Sequence, residues 1–376
     1  MYNLSGRIDS NNAAEWEKKL LEEKPTEIDA SGLEYISSAG LRVLLKLRKT
    51  VGEVNVINVK PEVYEVFEVT GFDKLLSVKK AFREISLTGL EVIGRGGNGT
   101  VYRIDADTIV KMYKPDYSLD IIEREQKYAK TAFISGIPSV IAYDVVKSGD
   151  CYGVVFEAMN SDTLGHAMSS DMEHLDDYVD KYVELAKTLH SVEIEGDDIM
   201  SLKDFLRKRV DSDKMREYCE QSEIDVLLDI IDSMKEYRTL VHGDFHPGNI
   251  MIQNGELMLI DMGEATLGPP IYDVATVFRD LLSGPKSNPE TIEMSVGLKP
   301  QVAMAVGDKF LRKYSGAQTE EQYQGYLKTL QLVYAFNVVC FLPDLPHKEY
   351  AAPIVNNLLR GVVIPNAAAI KGILSR

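Results

Sequence analysis

Three oxygen-bearing side chains suited to phosphate and metal chemistry lie close together in the second half of the chain. The segment 241–265 reads VHGDFHPGNIMIQNGELMLIDMGEA, with Asp244 and Asn249 before one apolar run and Asp261 directly after another. A carboxylate can orient an attacking hydroxyl, and carboxylate and amide oxygens are the hard ligands that Mg²⁺ prefers. The segment therefore predicts a catalytic carboxylate at Asp244 and metal ligands at Asn249 and Asp261.

A glycine-rich turn earlier in the chain supplies the other half of the same chemistry. The stretch GRGGNGTVY reads as two strands joined by a turn, and Gly94, Gly96 and Gly99 would let the backbone approach phosphate oxygens closely. Lys111 lies on the next predicted strand, TIVKMYK, where its ammonium can reach the α- and β-phosphates. Transfer of a γ-phosphoryl group needs positioned phosphates, metal ions and an orienting carboxylate. The chain presents these parts in the required order.

With these motifs in place, residues 87–376 resemble the aminoglycoside phosphotransferase/choline kinase-like family, a branch of the protein-kinase-like fold. HGDFHPGN resembles that family's catalytic loop rather than the HRD loop of eukaryotic protein kinases, and IDMGEA stands where those kinases have DFG. The resemblance implies an α+β bilobal domain, with a β-rich N-lobe at about 87–160 and a helical C-lobe at about 161–376. It also implies ATP and Mg²⁺ in the cleft, and it assigns the catalytic base and the metal ligands to the same three residues.

The family resemblance further implies a glutamate that pairs with Lys111 and a hinge that binds adenine. The helical stretch IIEREQKYAKTAFISGIPS offers Glu123 and Glu125. The family's glutamate precedes the GxP turn by about three helical turns, which favours Glu125 and leaves Glu123 open. YGVVFEAMN resembles the strand that leads to the hinge, so adenine is expected to bond backbone groups near Phe156 and Ala158.

Three polar residues around the catalytic loop are expected to have supporting roles. Asp273 in PPIYDVATV resembles the family's aspartate behind the catalytic loop, and an ordinary helix N-cap is the alternative. His242 and His246 are expected to be structural hydrogen bonders in the loop. Zinc binding is disfavoured because no third ligand stands at metal spacing.

The first 85 residues alternate strand-like and helix-like segments, which predicts an α/β sheet covered by helices. Ser10 or Asn11 is expected to cap the first helix, and a short strand is expected to run into a turn within TEIDASG. The third helix begins with Pro61 and ends with Gly71, an arrangement typical of helix termini. Helices are predicted at 11–23, 37–49 and 61–71, and a further strand at 53–59.

Residues 1–85 resemble the STAS domain, the fold of anti-sigma factor antagonists, through LSGRIDSNNA, IDASGLEYISSAGLRVLLKLRK and VINVKPEVYEVFEVTGFDKLL. The resemblance implies a regulatory or protein-binding module and places its phosphoacceptor on Ser38, where a phosphate would meet free N–H groups and a favourable helix dipole. Ser37 stands where the family usually has an acidic residue, and simple helix capping by both serines is the alternative. The family's usual first strand is expected to be absent or remodelled.

Composition narrows the possible function classes. A length of 376 residues favours two units, and a net charge of −16 disfavours nucleic-acid binding through phosphate contacts. Residues 1–86 hold 13 Lys and Arg against 14 Asp and Glu, so nearly all of the excess acid lies in the second unit, where it can attract a cationic substrate. The three cysteines are far apart and lack a CxxC pair, which predicts free thiols. No apolar segment suits a signal peptide or a membrane span, so a cytoplasmic location is expected.

These observations predict an ATP- and Mg²⁺-dependent phosphotransferase that acts on a hydroxyl of a small molecule and carries a STAS module for regulation or protein interaction. One alternative is a protein Ser/Thr kinase in a stress-signalling module of the anti-sigma-factor type, with Ser38 itself as one candidate target. A second alternative is a scaffold that only senses nucleotide, which the intact lysine, aspartates and asparagine of the motifs disfavour. The substrate-facing helices after residue 274 carry no pattern that identifies the acceptor.

Overall fold

A computed structural model describes the chain at residues 1–159, 161–345 and 348–375. It contains two compact units, each with its own core. The first unit is made of residues 1–89 and 145–153, and the second is made of residues 90–144 and 154–376.

The first unit is a parallel sheet with helical connections. Its strands lie in the order β1-β2-β3-β4, with all neighbouring pairs parallel, and apolar side chains such as Leu4, Ile28, Leu44 and Val56 are fully buried in its core. The predicted α/β fold is confirmed. In chain order the elements are β1 (Tyr2–Ile8), α1 (Ala13–Glu23), β2 (Glu27–Ile36), α2 (Ser38–Val51), β3 (Asn55–Val59), α3 (Pro61–Val69), β4 (Ser77–Lys80) and β5 (Arg83–Glu84).

Two local predictions in the first unit are wrong. The strand predicted to turn near Gly32 continues as β2 to Ile36, because Gly32 pairs with Ser5 of β1, and a Cβ atom at Gly32 would lie 2.9 Å from the Cβ of Ser5. The N-cap of α1 is Asn12 rather than Ser10 or Asn11, and the Asn12 side chain accepts a hydrogen bond from a preceding backbone N–H instead of capping the helix. The LSG segment lies inside β1.

The second unit begins with a β-rich part, as the sequence predicts. Neighbouring strands β6, β7 and β8 pair antiparallel, and the order continues through β10 to β9. The elements are β6 (Glu91–Arg95), β7 (Gly99–Arg103), β8 (Thr108–Tyr113), α4 (Leu119–Ile134), β9 (Ala142–Ser148) and β10 (Cys151–Glu157). Residues 145–153, which include the end of β9 and the start of β10, belong to the first unit, where Arg83 of β5 pairs in parallel with Val146.

The rest of the second unit is mainly helical, with two short β-ladders, β11 with β14 and β12 with β13. Its helices are α5 (Leu164–Ser170), α6 (Leu175–Leu189), α7 (Leu202–Val210), α8 (Asp213–Arg216), α9 (Gln221–Asp232), α10 (Ile271–Phe278), α11 (Gly284–Ser287), α12 (Pro289–Val296), α13 (Pro300–Ser315), α14 (Glu320–Cys340), α15 (Ala351–Pro353) and α16 (Ala367–Leu374). Its strands are β11 (Leu240–Val241), β12 (Ile250–Gln253), β13 (Glu256–Leu259) and β14 (Thr266–Leu267). Two π-helical segments occupy Arg279–Ser283 and Ile354–Val363.

The cysteines form no disulfide among the described residues, and the helices there do not suit a membrane span. Cys151, Cys219 and Cys340 are free thiols, and burial raises the pKa of Cys219 to about 11. Within the described ranges, no helix combines the length and the apolar character that a membrane span needs.

Candidate active site

A buried aspartate sets the path of the segment that carries Asp244. The carboxylate of Asp273, fully buried on α10, accepts hydrogen bonds from the backbone N–H groups of His242 and Gly243, both at 2.8 Å. It also contacts Nε2 of His190 at 3.1 Å. Gly243 has φ +83°, and a Cβ atom there would lie 2.4 Å from the carbonyl oxygen of Glu264. Asp273 therefore fixes a bend in the backbone that only glycine accommodates without strain.

The two predicted structural histidines do hydrogen-bond within this loop. Nε2 of His242 lies 2.9 Å from the carbonyl oxygen of Ile260, and its Nδ1 accepts the N–H of Asp244 at 3.3 Å. Nδ1 of His246 accepts the N–H of Gly248 at 3.1 Å, which leaves Nε2 of His246 on the side of Asp244. His242 joins the loop to the strand end that precedes Asp261.

The carboxylate of Asp244 has partners on both oxygens. Oδ1 accepts from Nη2 of Arg279 at 2.9 Å, and Oδ2 accepts from Nδ2 of Asn249 at 3.1 Å and lies 3.4 Å from Nε2 of His246. Burial raises the pKa of Asp244, but the hydrogen bond and charge of His246 and the charge of Arg279 outweigh it, so the pKa lies well below its usual range. Asp244 is therefore ionised and oriented, and 41% of its side chain remains exposed.

The predicted metal ligands each present an oxygen in a restrained geometry. Asn249 uses its amide nitrogen to bond both the carbonyl and the carboxylate of Asp244, at 3.0 and 3.1 Å, so its amide oxygen is the atom left for a cation. Asp261 follows β13 with a left-handed backbone, φ +61°, and 37% of its side chain is exposed. One amide oxygen and one accessible carboxylate are the ligand types that fit Mg²⁺.

Lys111 on β8 joins the β-rich part of the second unit to Asp261. Its Nζ lies 2.8 Å from Oε1 of Glu125 and 2.9 Å from Oδ1 of Asp261. The glutamate that contacts Lys111 is thus Glu125 on α4, which is only 3% exposed. Burial lowers the pKa of Lys111, but the charges of Glu125 and Asp261 outweigh it and the pKa lies above its ordinary value. The ammonium therefore stays charged and positioned.

The structure gives a different reason for the presence of glycine at each position of the predicted phosphate loop. Gly96 lies in the turn between β6 and β7, and a Cβ atom there would meet nothing within 4 Å, so the open face of this turn can approach a ligand. Gly99 lies on β7, where a Cβ atom would be 2.0 Å from the carbonyl oxygen of Met112. Gly94 has ordinary contact space, with 3.6 Å to Val101. Gly99 is thus required by strand packing, whatever it contributes to phosphate binding.

One backbone group of the predicted adenine contact, the N–H of Ala158, already has a hydrogen-bond partner. Phe156 is buried at the end of β10, and the N–H of Ala158 donates to the carbonyl oxygen of Asp107 at 2.8 Å. The side chain of Glu157 turns back and accepts from the N–H of Ile141 at 2.7 Å. Because Ala158 is already engaged, adenine can bond its N–H only if the contact with Asp107 opens.

A cavity of about 240 Å³ opens beside Asp244, within the second unit. Aromatic side chains form much of its wall, and Glu264, Arg279 and Asn337 add polar groups. The sequence analysis did not select these polar residues. A charged Arg–Asp pair in the largely apolar stretch VATVFRDLL was the available signal for Arg279, because charges within such a run are usually paired when they are buried.

Among the described residues, one other cluster has the spacing of a metal site, Asp244 with His246 and Asp280. The guanidinium of Arg279 hydrogen-bonds both carboxylates of this cluster. An arginine therefore already satisfies the charges that a cation would otherwise neutralise, and the cluster differs from the metal ligands that the sequence predicts.

Two known protein families match the sequence of this chain. Residues 89–294 match the family described as "Phosphotransferase enzyme family". This chain belongs to that family. Residues 1–86 match the STAS domain. Both predicted resemblances are thereby confirmed, and the chain is a kinase-type phosphotransferase with an N-terminal STAS domain.

Individual relatives cover each part of this phosphotransferase. Over 84 residues it is 40% identical to "Putative anti-sigma factor antagonist BtrV" of Bordetella bronchiseptica (strain ATCC BAA-588 / NCTC 13252 / RB50), a match that covers 20% of this chain and 72% of that protein. A thermostable mutant of aminoglycoside phosphotransferase APH(4)-Ia, solved with ADP and hygromycin B, is 14% identical with a TM-score of 0.46 and covers 77% of this chain and 92% of its own. A choline/ethanolamine kinase family protein from Mesorhizobium loti is 13% identical with a TM-score of 0.47, over 77% and 93% of the two chains.

Proposed function

We propose that this protein transfers the γ-phosphoryl group of ATP, with Mg²⁺, to a hydroxyl of a small molecule, and that its STAS domain regulates the enzyme or binds a protein partner. The observation that supports this most directly is the cavity of about 240 Å³ beside the carboxylate of Asp244. That carboxylate is ionised, oriented by three side chains and 41% exposed, so an acceptor hydroxyl in the cavity can reach it.

The cavity suits a compact acceptor. Its volume is below the roughly 300–1,000 Å³ that is typical of sites for drug-sized ligands. Asp244 and Glu264 line the cavity with carboxylates, and the rings of Tyr272 and Tyr334 supply faces that attract cations, whereas the ring of Phe205 already carries Arg209 at 3.7 Å. These groups favour an acceptor that carries an amine as well as a hydroxyl.

Each side chain of the site has a separate role in the proposed phosphotransfer. Asp244 accepts the hydrogen bond of the acceptor hydroxyl and takes its proton as the acceptor oxygen bonds to the γ-phosphorus. Lys111, held by Glu125, would bind the α- and β-phosphates. Asn249 and Asp261 would hold Mg²⁺, which supplies positive charge against the charge that develops on the phosphates.

The proposal is tested by an ATP-consumption screen. The purified chain is incubated with Mg·ATP and with aminoglycosides, choline-like amines or sugars, and ADP release is measured. We expect one compact class to stimulate turnover, with the phosphate recovered on that molecule. The Asp244→Asn variant controls for contaminating kinases. If Mg·ATP is bound but not consumed under any condition, the protein is a scaffold that only senses nucleotide.

A second function, phosphorylation of a protein, is supported by the position of Ser38. Ser38 is the first residue of α2 and is exposed, and the N-cap of that helix is Ser37. A phosphate on Ser38 would add a charge of about −1.5 to −2 at a helix N-terminus, where it is tolerated, and would change what the surrounding surface binds.

This second function has its own measurement. The protein is incubated with Mg·ATP, and phosphate is located by intact mass and by peptide mass. Modification of Ser38 that is lost in Asp244→Asn would make the STAS domain a substrate of the fused kinase. An unmodified Ser38 under conditions of small-molecule turnover would exclude it.

A further inference from the structure

We propose that Arg279 is a further catalytic residue, whose guanidinium binds the phosphoryl group while it is transferred. This inference rests on the proposed phosphotransfer at Asp244. Arg279 lies 35 residues after Asp244 in the sequence, on the first residue of the π-helical segment that follows α10. Single π-helical turns occur often at functional sites, because they place a side chain where a regular helix would not.

Arg279 is held in one place by a two-pronged contact with its neighbour. Its Nε donates to Oδ1 of Asp280 at 2.7 Å, and its Nη2 donates to Oδ2 of the same carboxylate at 2.8 Å. Asp280 is only 7% exposed. Burial lowers the pKa of Arg279, but the charges of Asp280 and Asp244 outweigh it and the net pKa is raised. The guanidinium is therefore charged and already oriented.

Two of the five donors of Arg279 remain for a ligand. Nε and both hydrogens of Nη2 are taken by the carboxylates of Asp280 and Asp244. In the described parts of the chain, Nη1 has no hydrogen-bond acceptor. The side chain is 35% exposed and lines the cavity beside Asp244. Nη1 can therefore donate two hydrogen bonds to a bound oxygen acceptor.

The position of Asp244 indicates that the oxygen atoms bound by Arg279 are those of the phosphoryl group. The attacking hydroxyl must hydrogen-bond to the carboxylate of Asp244, and in a reactive geometry its oxygen lies about 3–3.5 Å from the γ-phosphorus. Arg279 contacts the same carboxylate at 2.9 Å, so the phosphoryl oxygens pass within its reach. An arginine at this place stabilises the charge that spreads over those oxygens during transfer.

The step keeps its atoms and charges in balance. The acceptor oxygen forms a bond to the γ-phosphorus, the bond from that phosphorus to the bridging oxygen of ADP breaks, and the hydroxyl proton passes to Asp244. Arg279 exchanges no proton and forms no covalent bond. If its role were only to neutralise the two aspartates, it would not distinguish a transferring phosphoryl group from a resting triphosphate.

That distinction defines the experiment. The full chain is titrated by calorimetry with Mg·AMP-PNP, which mimics the resting nucleotide, and with Mg·ADP in the presence and absence of aluminium fluoride, which mimics the phosphoryl group in transfer. The variants are Arg279→Gln and Arg279→Lys. Arg312→Gln is the matched control, because Arg312 also bonds two carboxylates, Asp308 and Glu320, but lies on the surface of α13.

We expect aluminium fluoride to tighten Mg·ADP binding at least tenfold in the wild type and in Arg312→Gln. In Arg279→Gln this gain should be lost, while Mg·AMP-PNP binding changes less than threefold and shows that the variant is folded. Arg279→Lys should keep only part of the gain, because a lysine lacks the two-pronged contact. ATP turnover of Arg279→Gln should fall on the order of 10³-fold.

Two results would overturn the inference, and only one of them would also refute the proposed function. Full aluminium fluoride enhancement in both Arg279 variants would refute the role of Arg279 and leave the proposed phosphotransfer intact. A wild-type chain that binds neither nucleotide form would refute the proposed function, and the role of Arg279 with it.

Discussion

The two places where this protein is expected to meet phosphate are built in opposite ways. At the start of α2, the side-chain oxygen of the N-cap Ser37 accepts a hydrogen bond from the N–H of Gly40, three residues away and at 3.4 Å, and the exposed Ser38 follows it. In the catalytic loop, Asp244 is bonded from 35 residues away, and Lys111 contacts Asp261 across 150 residues. A group that performs chemistry must be held from several sides, whereas a group that receives a phosphate mainly needs access.

This comparison predicts that substitutions in the catalytic loop act on turnover far more than on binding. Asp244→Asn should lower Mg²⁺-dependent ATP turnover about 10²–10⁴-fold, because the amide cannot take the hydroxyl proton. Binding of AMP-PNP should persist. Asp308→Asn, which changes a surface aspartate on α13, is the control. Unchanged turnover in Asp244→Asn would remove this residue from the mechanism.

Loss of the predicted metal ligand Asp261 should weaken nucleotide binding, which precedes phosphoryl transfer. Asp261→Ala removes a carboxylate that contacts Lys111 at 2.9 Å and is predicted to hold Mg²⁺. We expect weaker binding of Mg·AMP-PNP itself, measured by titration with and without Mg²⁺. If the Mg²⁺ dependence of binding is the same in this variant and in the wild type, the metal lies elsewhere.

A smaller effect is expected from the partner of Lys111. Hydrogen bonds to charged groups contribute about 1.5–3 kcal/mol, so Glu125→Gln should lower kcat/KM for ATP roughly 10–100-fold without unfolding the chain. Glu123→Gln on the same helix is the matched control. A greater loss in Glu123→Gln than in Glu125→Gln would move the role to Glu123.

Substitutions in the predicted catalytic loop should also lower the free energy of unfolding more than substitutions at the start of α2. Asp273→Ala leaves the buried N–H groups of His242 and Gly243 without their acceptor, each at a cost of about 1–3 kcal/mol. We expect the free energy of unfolding of the second unit, measured in urea, to fall by about 2–6 kcal/mol, and turnover to be lost with it. A stable, fully active Asp273→Ala would show that the loop holds its bend without this carboxylate.

The smallest expected effect lies in the STAS domain. Ser37→Ala removes an N-cap and should cost the first unit about 0.5–2 kcal/mol, since the cap satisfies one N–H of α2. Ser38→Ala should change stability by less than about 0.5 kcal/mol, because Ser38 is exposed. Both are measured by urea unfolding of the full chain. A large loss in Ser38→Ala would mean that this serine is part of the structure rather than an accessible acceptor.

Much of this protein was predictable because its informative residues are close together in sequence. The segment that is predicted to be catalytic places Asp244, Asn249 and Asp261 within 25 residues, and alternating patterns indicated the sheet and helices of the first unit. The sequence-based prediction was wrong where a residue type that is typical of turns pairs with a strand from a distant part of the chain. Gly32 looked like a turn, and its pairing with β1 instead extends the strand.

The sequence by itself determined the two fold classes, the family and the residue types of the phosphotransfer chemistry, because motif spacing and periodicity are local properties of the chain. Only the tertiary structure decided which groups touch. It brought Glu125 to Lys111 and Arg279 to Asp244, engaged the N–H of Ala158 with Asp107, and formed the cavity beside the catalytic loop. The physical reason is that such contacts depend on how buried charges and strands from distant segments pack together, and neither spacing nor composition encodes that packing directly.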